Sequence, residues 1–204
     1  MDPTPESKPE NIKQQEILMP RETARALGAG LRKLMGGQLE QIKPYVNNLK
    51  NNPQVKDDDV NAMEESITRV LDLISNLRYS EEVKIIPRIG GSDFVFSEER
   101  QEEEEIPQSE IIINDSTTPT LNELNNALQH NFNNALGPLR GHSEMISLGA
   151  QDENTRESAN QILSRFQAAY NELRPIQTAD YQLKISKDVS GDTTITPITR
   201  PNTQ

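Results

Sequence analysis

The chain repeats one order of predicted elements, two amphipathic helices followed by a β-hairpin. In the first helices, apolar residues recur in steps of three and four and match 97 residues apart, as Leu39 with Leu136 and Ile42 with Leu139. The strand segments VKI and LKI begin 100 residues apart, at 83 and 183. Neither helix pair can bury its apolar stripe alone. We therefore predict a mainly α fold, in which two helical hairpins form an antiparallel four-helix bundle and each is followed by a small β-hairpin.

Composition shifts divide the chain into five predicted segments. These are a disordered tail (1–18), a degenerate repeat 1 (19–96), an acidic linker (97–118), repeat 2 (119–197) and a second tail (198–204). The linker carries the run EEEE at 102–105, which is typical of a solvated spacer. It also contains Ile111, Ile112 and Ile113, for which the pattern predicts no packing partner.

Capping and breaker residues predict where the helices begin and end. Asp57–Asp59 can cap the second helix, with negative charge at its positive end. Thr118 or Thr120 can cap the third helix, and Asp152 the fourth. Pro175 is expected to end the fourth helix.

The composition argues against several classes of protein. The net charge of −11 disfavours nucleic acid as a partner, because phosphates require clustered Lys and Arg, and it disfavours an anionic membrane surface. The chain has no cysteine, so neither a disulfide framework nor a thiolate metal site is expected. No apolar run approaches the ~20 residues that span a bilayer, and the segment MDPTPESKPE is no signal peptide. We expect a cytoplasmic protein that binds neither nucleic acid nor membrane.

The third helix carries both histidines of the chain, and they lie on different faces. If Leu128 is the centre of the buried stripe, His130 lies about 200° round the helix and faces solvent, whereas His142 lies about 320° round and borders the core. At the repeat offset, His142 matches Tyr45 and His130 matches Lys33. His142 is therefore predicted to be a packing residue. His130 is the one candidate for chemistry, although an exposed histidine is more often an ordinary surface residue. A metal site is disfavoured because the histidines diverge.

The sequence around His130 resembles a known family. The residues His130-Asn131-Phe132-Asn133-Asn134, with Leu136, Leu139 and Gly141 after them, resemble the dimerisation and phosphoacceptor segment of sensor histidine kinases. The resemblance covers residues 121–173 and extends to repeat 1 only as a pattern. It implies a helical hairpin that pairs into a four-helix bundle, with His130 as phosphoacceptor. It also places Asn134 where an amide or hydroxyl orients water for dephosphorylation of a receiver domain.

Three departures from that family pattern bear on activity. Asn131 stands where the family normally has an acidic residue directly after the phosphoacceptor. Because that acid orients the imidazole or acts as a base, its absence argues against autokinase activity. The sequence has no acidic-Gly-x-Gly motif and no glycine-rich loop for ATP. In repeat 1, Lys33 stands in place of His130, and Gly36-Gly37 in place of Asn133-Asn134. We therefore expect no autonomous ATP-dependent kinase activity, and repeat 1 is expected to be a structural half.

These features lead to a hypothesis with alternatives. The first is a histidine phosphotransfer-like protein of a two-component phosphorelay, which passes or removes a phosphoryl group at a receiver aspartate through His130, with Asn131 and Asn134 beside it. Such a protein needs no cofactor of its own, since the response-regulator receiver would supply Mg²⁺. The second is an inactive, kinase-like dimerisation module that acts as a scaffold or decoy. The third is a helical bundle unrelated to signalling. We expect a monomer in which the fused repeats imitate a kinase dimer.

Overall fold

A computed structural model describes residues 15–97 and 109–200. The chain is mainly helical, and its described part contains four helices and two small antiparallel three-stranded sheets. The elements, in order, are β1 (Ile17–Met19), α1 (Arg21–Lys50), α2 (Asp57–Tyr79), β2 (Val83–Arg88), β3 (Gly91–Phe96), β4 (Ile111–Ile113), α3 (Leu121–Gly149), α4 (Glu153–Gln177), β5 (Gln182–Lys187) and β6 (Thr193–Ile198). Most of the predicted first tail, the run EEEE at 102–105 and the last four residues lie outside the described residues.

Two of the predicted helix caps are present. Thr120 forms a full capping box with Glu123, in which each side chain accepts a hydrogen bond from the other residue's backbone N–H. Asp152 accepts a hydrogen bond from the N–H of Thr155 at the start of α4. These bonds satisfy N–H groups that have no partner within the helix.

Two other predictions about helix ends are wrong. Asp57–Asp59 do not cap α2 but form its first turn, and Lys56 is the N-cap residue without a side-chain hydrogen bond. The three carboxylates still lie at the positive end of the helix dipole.

Pro175 lies inside α4, which continues to Gln177. Proline removes only one backbone hydrogen bond, and the carbonyl of Arg174 accepts the N–H of Thr178 one turn later.

A short strand that the sequence pattern did not predict precedes the first helix of each repeat. Sheet 1 has the order β1-β2-β3 and sheet 2 the order β4-β5-β6. In the first, Ile17 pairs with Ile85, and in the second, Ile111 pairs with Ile185. The segments 17–18 and 111–113, which were assigned to a tail and a linker, are therefore strands. Runs of three residues are too short for hydrophobic periodicity to identify.

The helices bury the apolar residues that the repeat aligns. Helix α1 packs against α2 and α4, and α3 packs against the same two helices. The aligned pairs Leu39 with Leu136 and Ile42 with Leu139 are all at most 2% exposed. They belong to one core cluster that also includes Ile85 and other strand residues. No helix in the described ranges is long and apolar enough to cross a membrane.

Each sheet packs on the first helix of the other repeat. Strands β2 and β3 contact α3, whereas β5 and β6 contact α1. The approach to α1 is close at Gly30, where an added Cβ would lie 2.8 Å from Cδ1 of Ile195. The two repeats are therefore joined through their sheets as well as through their helices, and sheet 1 lies over the helix that carries His130.

The connection between α1 and α2 (51–56) meets the connection between α3 and α4 (150–152) at the end of the helices that lies away from the two sheets. Asn52, after α1, donates from Nδ2 to Oδ2 of Asp152 at 3.3 Å and also to the hydroxyl of Thr155. Hydrogen bonds lower the pKa of the Asp152 carboxyl, first from the Thr155 hydroxyl, then from its backbone N–H, and further from Asn52. Asp152 therefore links the two repeats in addition to capping α4.

The Asp152 cap predicts a pH-dependent contribution to stability. Because its folded-state pKa is lowered, the contribution is complete above the ordinary aspartate pKa of about 3.9 and is lost as pH falls through the lower folded value. We expect Asp152→Ala to destabilise the protein at about pH 7 and the difference from wild type to shrink at about pH 3. Urea unfolding at both pH values measures this. Asp152→Asn keeps a capping acceptor without a titrating group, so its advantage over Asp152→Ala should not shrink in the same way.

Candidate functional site

His130 lies on α3 beneath the turn that joins β2 and β3. The turn brings Gly91 against the imidazole, so that an added Cβ on Gly91 would lie 2.6 Å from Cγ and 2.7 Å from Cβ of His130, and closer still to Nδ1. The His130 side chain is 26% exposed. The prediction that His130 faces solvent is thus met only in part: the residue lies outside the helix core, but sheet 1 covers one side of its ring.

The other ring nitrogen of His130 has two polar partners. Nε2 lies 3.3 Å from Oδ1 of Asp93 on β3 and 3.1 Å from Nδ2 of Asn134 one turn later on α3. A protonated Nε2–H donates to the carboxylate, whereas a neutral Nε2 accepts from the amide. Arg88 holds the second carboxylate oxygen, with Nε 3.2 Å from Oδ2. Nε2 of His130 therefore has a hydrogen-bond partner whether or not it carries a proton.

Asn131 joins α3 to sheet 1. Its Nδ2 donates to the carbonyl of Ser92 at 2.9 Å and to that of Ala127 at 2.7 Å. A carboxylate at this position would repel the Ser92 carbonyl, since it has no proton to donate. The amide is therefore the group that fits at position 131, and the acid beside the imidazole comes from Asp93 instead.

Asn134 is exposed and borders a shallow cleft between α2 and α3. The cleft has a volume of about 320 Å³, and Phe96 of β3 contributes to its wall. It is lined by Arg69, Asp72, Leu73, Asn76, Phe96, Asn131, Asn134 and Ala135. The structure thus brings all three predicted site residues, His130, Asn131 and Asn134, to the edge of sheet 1.

Lys33, the repeat 1 counterpart of His130, also meets carboxylates of the opposite repeat, in the turn between β5 and β6. Its Nζ lies 2.7 Å from Oδ2 of Asp188 and 3.0 Å from Oδ2 of Asp192. These partners raise the pKa of Lys33, mainly through the hydrogen bond to Asp188, and the same bond lowers the pKa of Asp188. The two equivalent positions therefore both anchor a sheet, one through an ammonium group and one through an imidazole.

His142, which the pattern predicts to be a packing residue, is half-buried and paired with an aspartate. Its side chain is 27% exposed, and Nδ1 lies 2.8 Å from Oδ1 of Asp59 in the first turn of α2. Its counterpart Tyr45 is likewise partly buried against the core. Both histidines therefore connect α3 to an aspartate of repeat 1.

Sequence reasoning missed three residues of the site, namely Arg88, Gly91 and Asp93. They lie in a strand pair that the sequence predicts, but no motif links that pair to His130, which is 37 or more residues away in the chain. Among the described residues, no group of three or more His, Cys, Asp or Glu side chains is placed to hold a metal ion. No family model, curated protein or solved structure matches this chain.

Proposed function

We propose that the chain is a kinase-like dimerisation module in a single polypeptide, an antiparallel four-helix bundle that binds signalling proteins without phosphoryl chemistry of its own. The internal repeat supports the pseudo-dimer, because each helix pair supplies an apolar stripe that the other buries. The segment from His130 to Gly141 supports the kinase-like origin. Its expected partners are response-regulator receiver domains, for which it acts as a scaffold or decoy.

The observation that carries the non-catalytic role is the engagement of both imidazole nitrogens of His130. Gly91 covers the ring at Nδ1, and Nε2 faces the carboxylate of Asp93 at 3.3 Å. While Nε2–H donates to this carboxylate, Nε2 has no lone pair with which to attack phosphorus, and Gly91 covers Nδ1. For His130 to attack an aspartyl phosphate, sheet 1 would have to move away from α3.

A histidine phosphotransfer role through His130 is the second candidate. Asp93 favours it, because the carboxylate restores the acidic partner that the family pattern lacks at Asn131 and could take the imidazole proton. Asn134 favours it too, since its exposed amide lies 3.1 Å from Nε2 of His130, where it could orient water for receiver dephosphorylation.

One experiment separates the two roles. The chain is incubated with a panel of receiver domains that carry a radiolabelled aspartyl phosphate, and acid-labile, base-stable label on the chain is measured. For the proposed role, we expect no label above the level of His130→Gln, and receiver binding that this substitution leaves unchanged in titration calorimetry. A histidine phosphotransfer domain assayed in parallel serves as the positive control.

Two results would favour the second candidate instead. One is label on the wild-type chain that His130→Gln abolishes, which would identify His130 as a phosphoacceptor. The other is receiver dephosphorylation that the chain accelerates and that Asn134→Ala removes, which would identify a phosphatase activity.

A further inference from the structure

The last turns of α3 expose two large apolar side chains on one side. Met145 is 56% exposed and Leu148 is 89% exposed, and residues three apart lie on the same side of a helix. Beside them, a cleft of about 250 Å³ runs between the two helix connections, and Met145 and Val55 are among its lining residues. We call Val55, Met145 and Leu148 the apolar end surface.

The repeat indicates that folding does not require this apolar surface. At the offset of 97 that aligns the first helices, Met145 matches Asn48 and Leu148 matches Asn51. Both asparagines are exposed; Asn48 lies in the last turn of α1, and Asn51 is the C-cap residue of that helix. The two aligned positions are thus polar and solvated in repeat 1 and apolar in repeat 2, whereas the neighbouring core residues Leu49 and Ile146 are both buried.

Around the apolar end surface, acidic residues outnumber the basic residues Lys56 and Arg156. Lys56 and Asp59 line the cleft, and Asp57 and Asp58 between them are exposed. Asp152 and Glu153 lie at the start of α4, close in sequence to the lining residue Thr155, and Glu153 is ion-paired with Arg156. An apolar centre with a charged rim is typical of a protein-binding surface. The negative charge of the rim favours a partner with basic residues around its apolar anchors.

We propose that the apolar end surface binds an amphipathic helical segment of a partner protein, with aliphatic anchors and flanking Lys or Arg. Two exposed apolar side chains beside a groove suit the anchors of such a helix, and methionine adapts its shape to the side chain that it meets. The proposal rests on the protein-binding role proposed above, and it assigns that role a second surface. Met145 lies 15 residues beyond His130, or about 22 Å along α3, so one small segment does not occupy both sites.

The test uses a fluorescein-labelled synthetic peptide of leucine and lysine, patterned as an amphipathic helix, and follows binding to the full chain by fluorescence anisotropy. We expect saturable binding that the double variant Met145→Asn/Leu148→Asn weakens about tenfold or more. Asparagine is the residue that repeat 1 carries at both equivalent positions, so the variant should fold. Ile89→Asn, which alters a fully exposed apolar residue on the turn of sheet 1, is the matched control and should not change the affinity.

Further variants and controls test the role of the acidic residues and the identity of the molecule that binds the apolar end surface. Asp57→Asn/Asp58→Asn should weaken binding and reduce its dependence on salt concentration. Equal binding by a scrambled peptide without an apolar face, or by the Met145/Leu148 double variant, would overturn the proposal. So would dimerisation in sedimentation that this double variant abolishes, because the occupant would then be a second copy of the chain. His130→Gln should leave peptide affinity unchanged, and phosphoryl label on His130 is scored separately, so this proposal and the proposed function can fail independently.

Discussion

Replacement of Phe132 by alanine is expected to lower the free energy of unfolding by about 3–5 kcal/mol, which is the usual range for a buried phenylalanine. Phe132 is 0% exposed and is among the largest fully buried side chains of the described chain. Its neighbours in the core are fixed by helix packing, so they can fill the resulting cavity only in part. A loss of this size is a large fraction of the stability of an ordinary domain.

The measurement is urea or guanidinium unfolding followed by circular dichroism, with Phe132→Leu as the matched control. Leucine keeps an apolar side chain that fills most of the space, so we expect a loss of about 1.5 kcal/mol or less. A loss below about 1 kcal/mol in Phe132→Ala would contradict a core position. Phe132 would then be available to contact a partner, whereas the structure buries it in the core.

The helices of this fold can be predicted from the sequence better than the sheets can. Leu39, Ile42, Leu136 and Leu139 repeat often enough to predict two buried stripes, and all four are buried. Thr120 and Asp152 cap their helices through bonds to residues three positions away, so their capping roles follow from sequence alone. Strands β1 and β4 have three residues each, and their pairing depends on partners roughly 70 residues away.

The environment of His130 depends on contacts between repeats. Helical periodicity places His130 outside the core, and the structure agrees with that placement. Periodicity says nothing about Asp93, because a residue on the β3 strand reaches α3 only after sheet 1 has packed on the opposite repeat. The family pattern likewise compares residues that are neighbours in sequence, so at Asn131 it indicates only that the usual acidic residue is missing. The hydrogen bond from Asn131 to the Ser92 carbonyl supplies a structural reason for the amide.

Gly91→Ala is the second substitution with a large expected effect. The backbone of Gly91 is not in the positive-φ region, so alanine fits its local conformation. The new Cβ, however, would lie 2.7 Å or less from Cβ, Cγ and Nδ1 of His130, and either the histidine or the β2–β3 turn has to move. Overpacking of this kind costs about 1–3 kcal/mol. We therefore expect weaker contact between sheet 1 and α3, which chemical denaturation and faster hydrogen exchange of the β2 and β3 amides would detect.

A double-mutant cycle tests whether His130 is the cause. His130→Gly removes the ring and Cβ together, so the cost of Gly91→Ala should fall in that background. Gly141→Ala is the control for a glycine-to-alanine change, because an added Cβ there meets nothing within 4 Å, and in a helix it should stabilise by up to about 1 kcal/mol. If Gly91→Ala costs the same with and without the imidazole, the contact of the turn with His130 does not hold sheet 1 on α3. Sheet 1 would then not be what keeps His130 from phosphoryl chemistry.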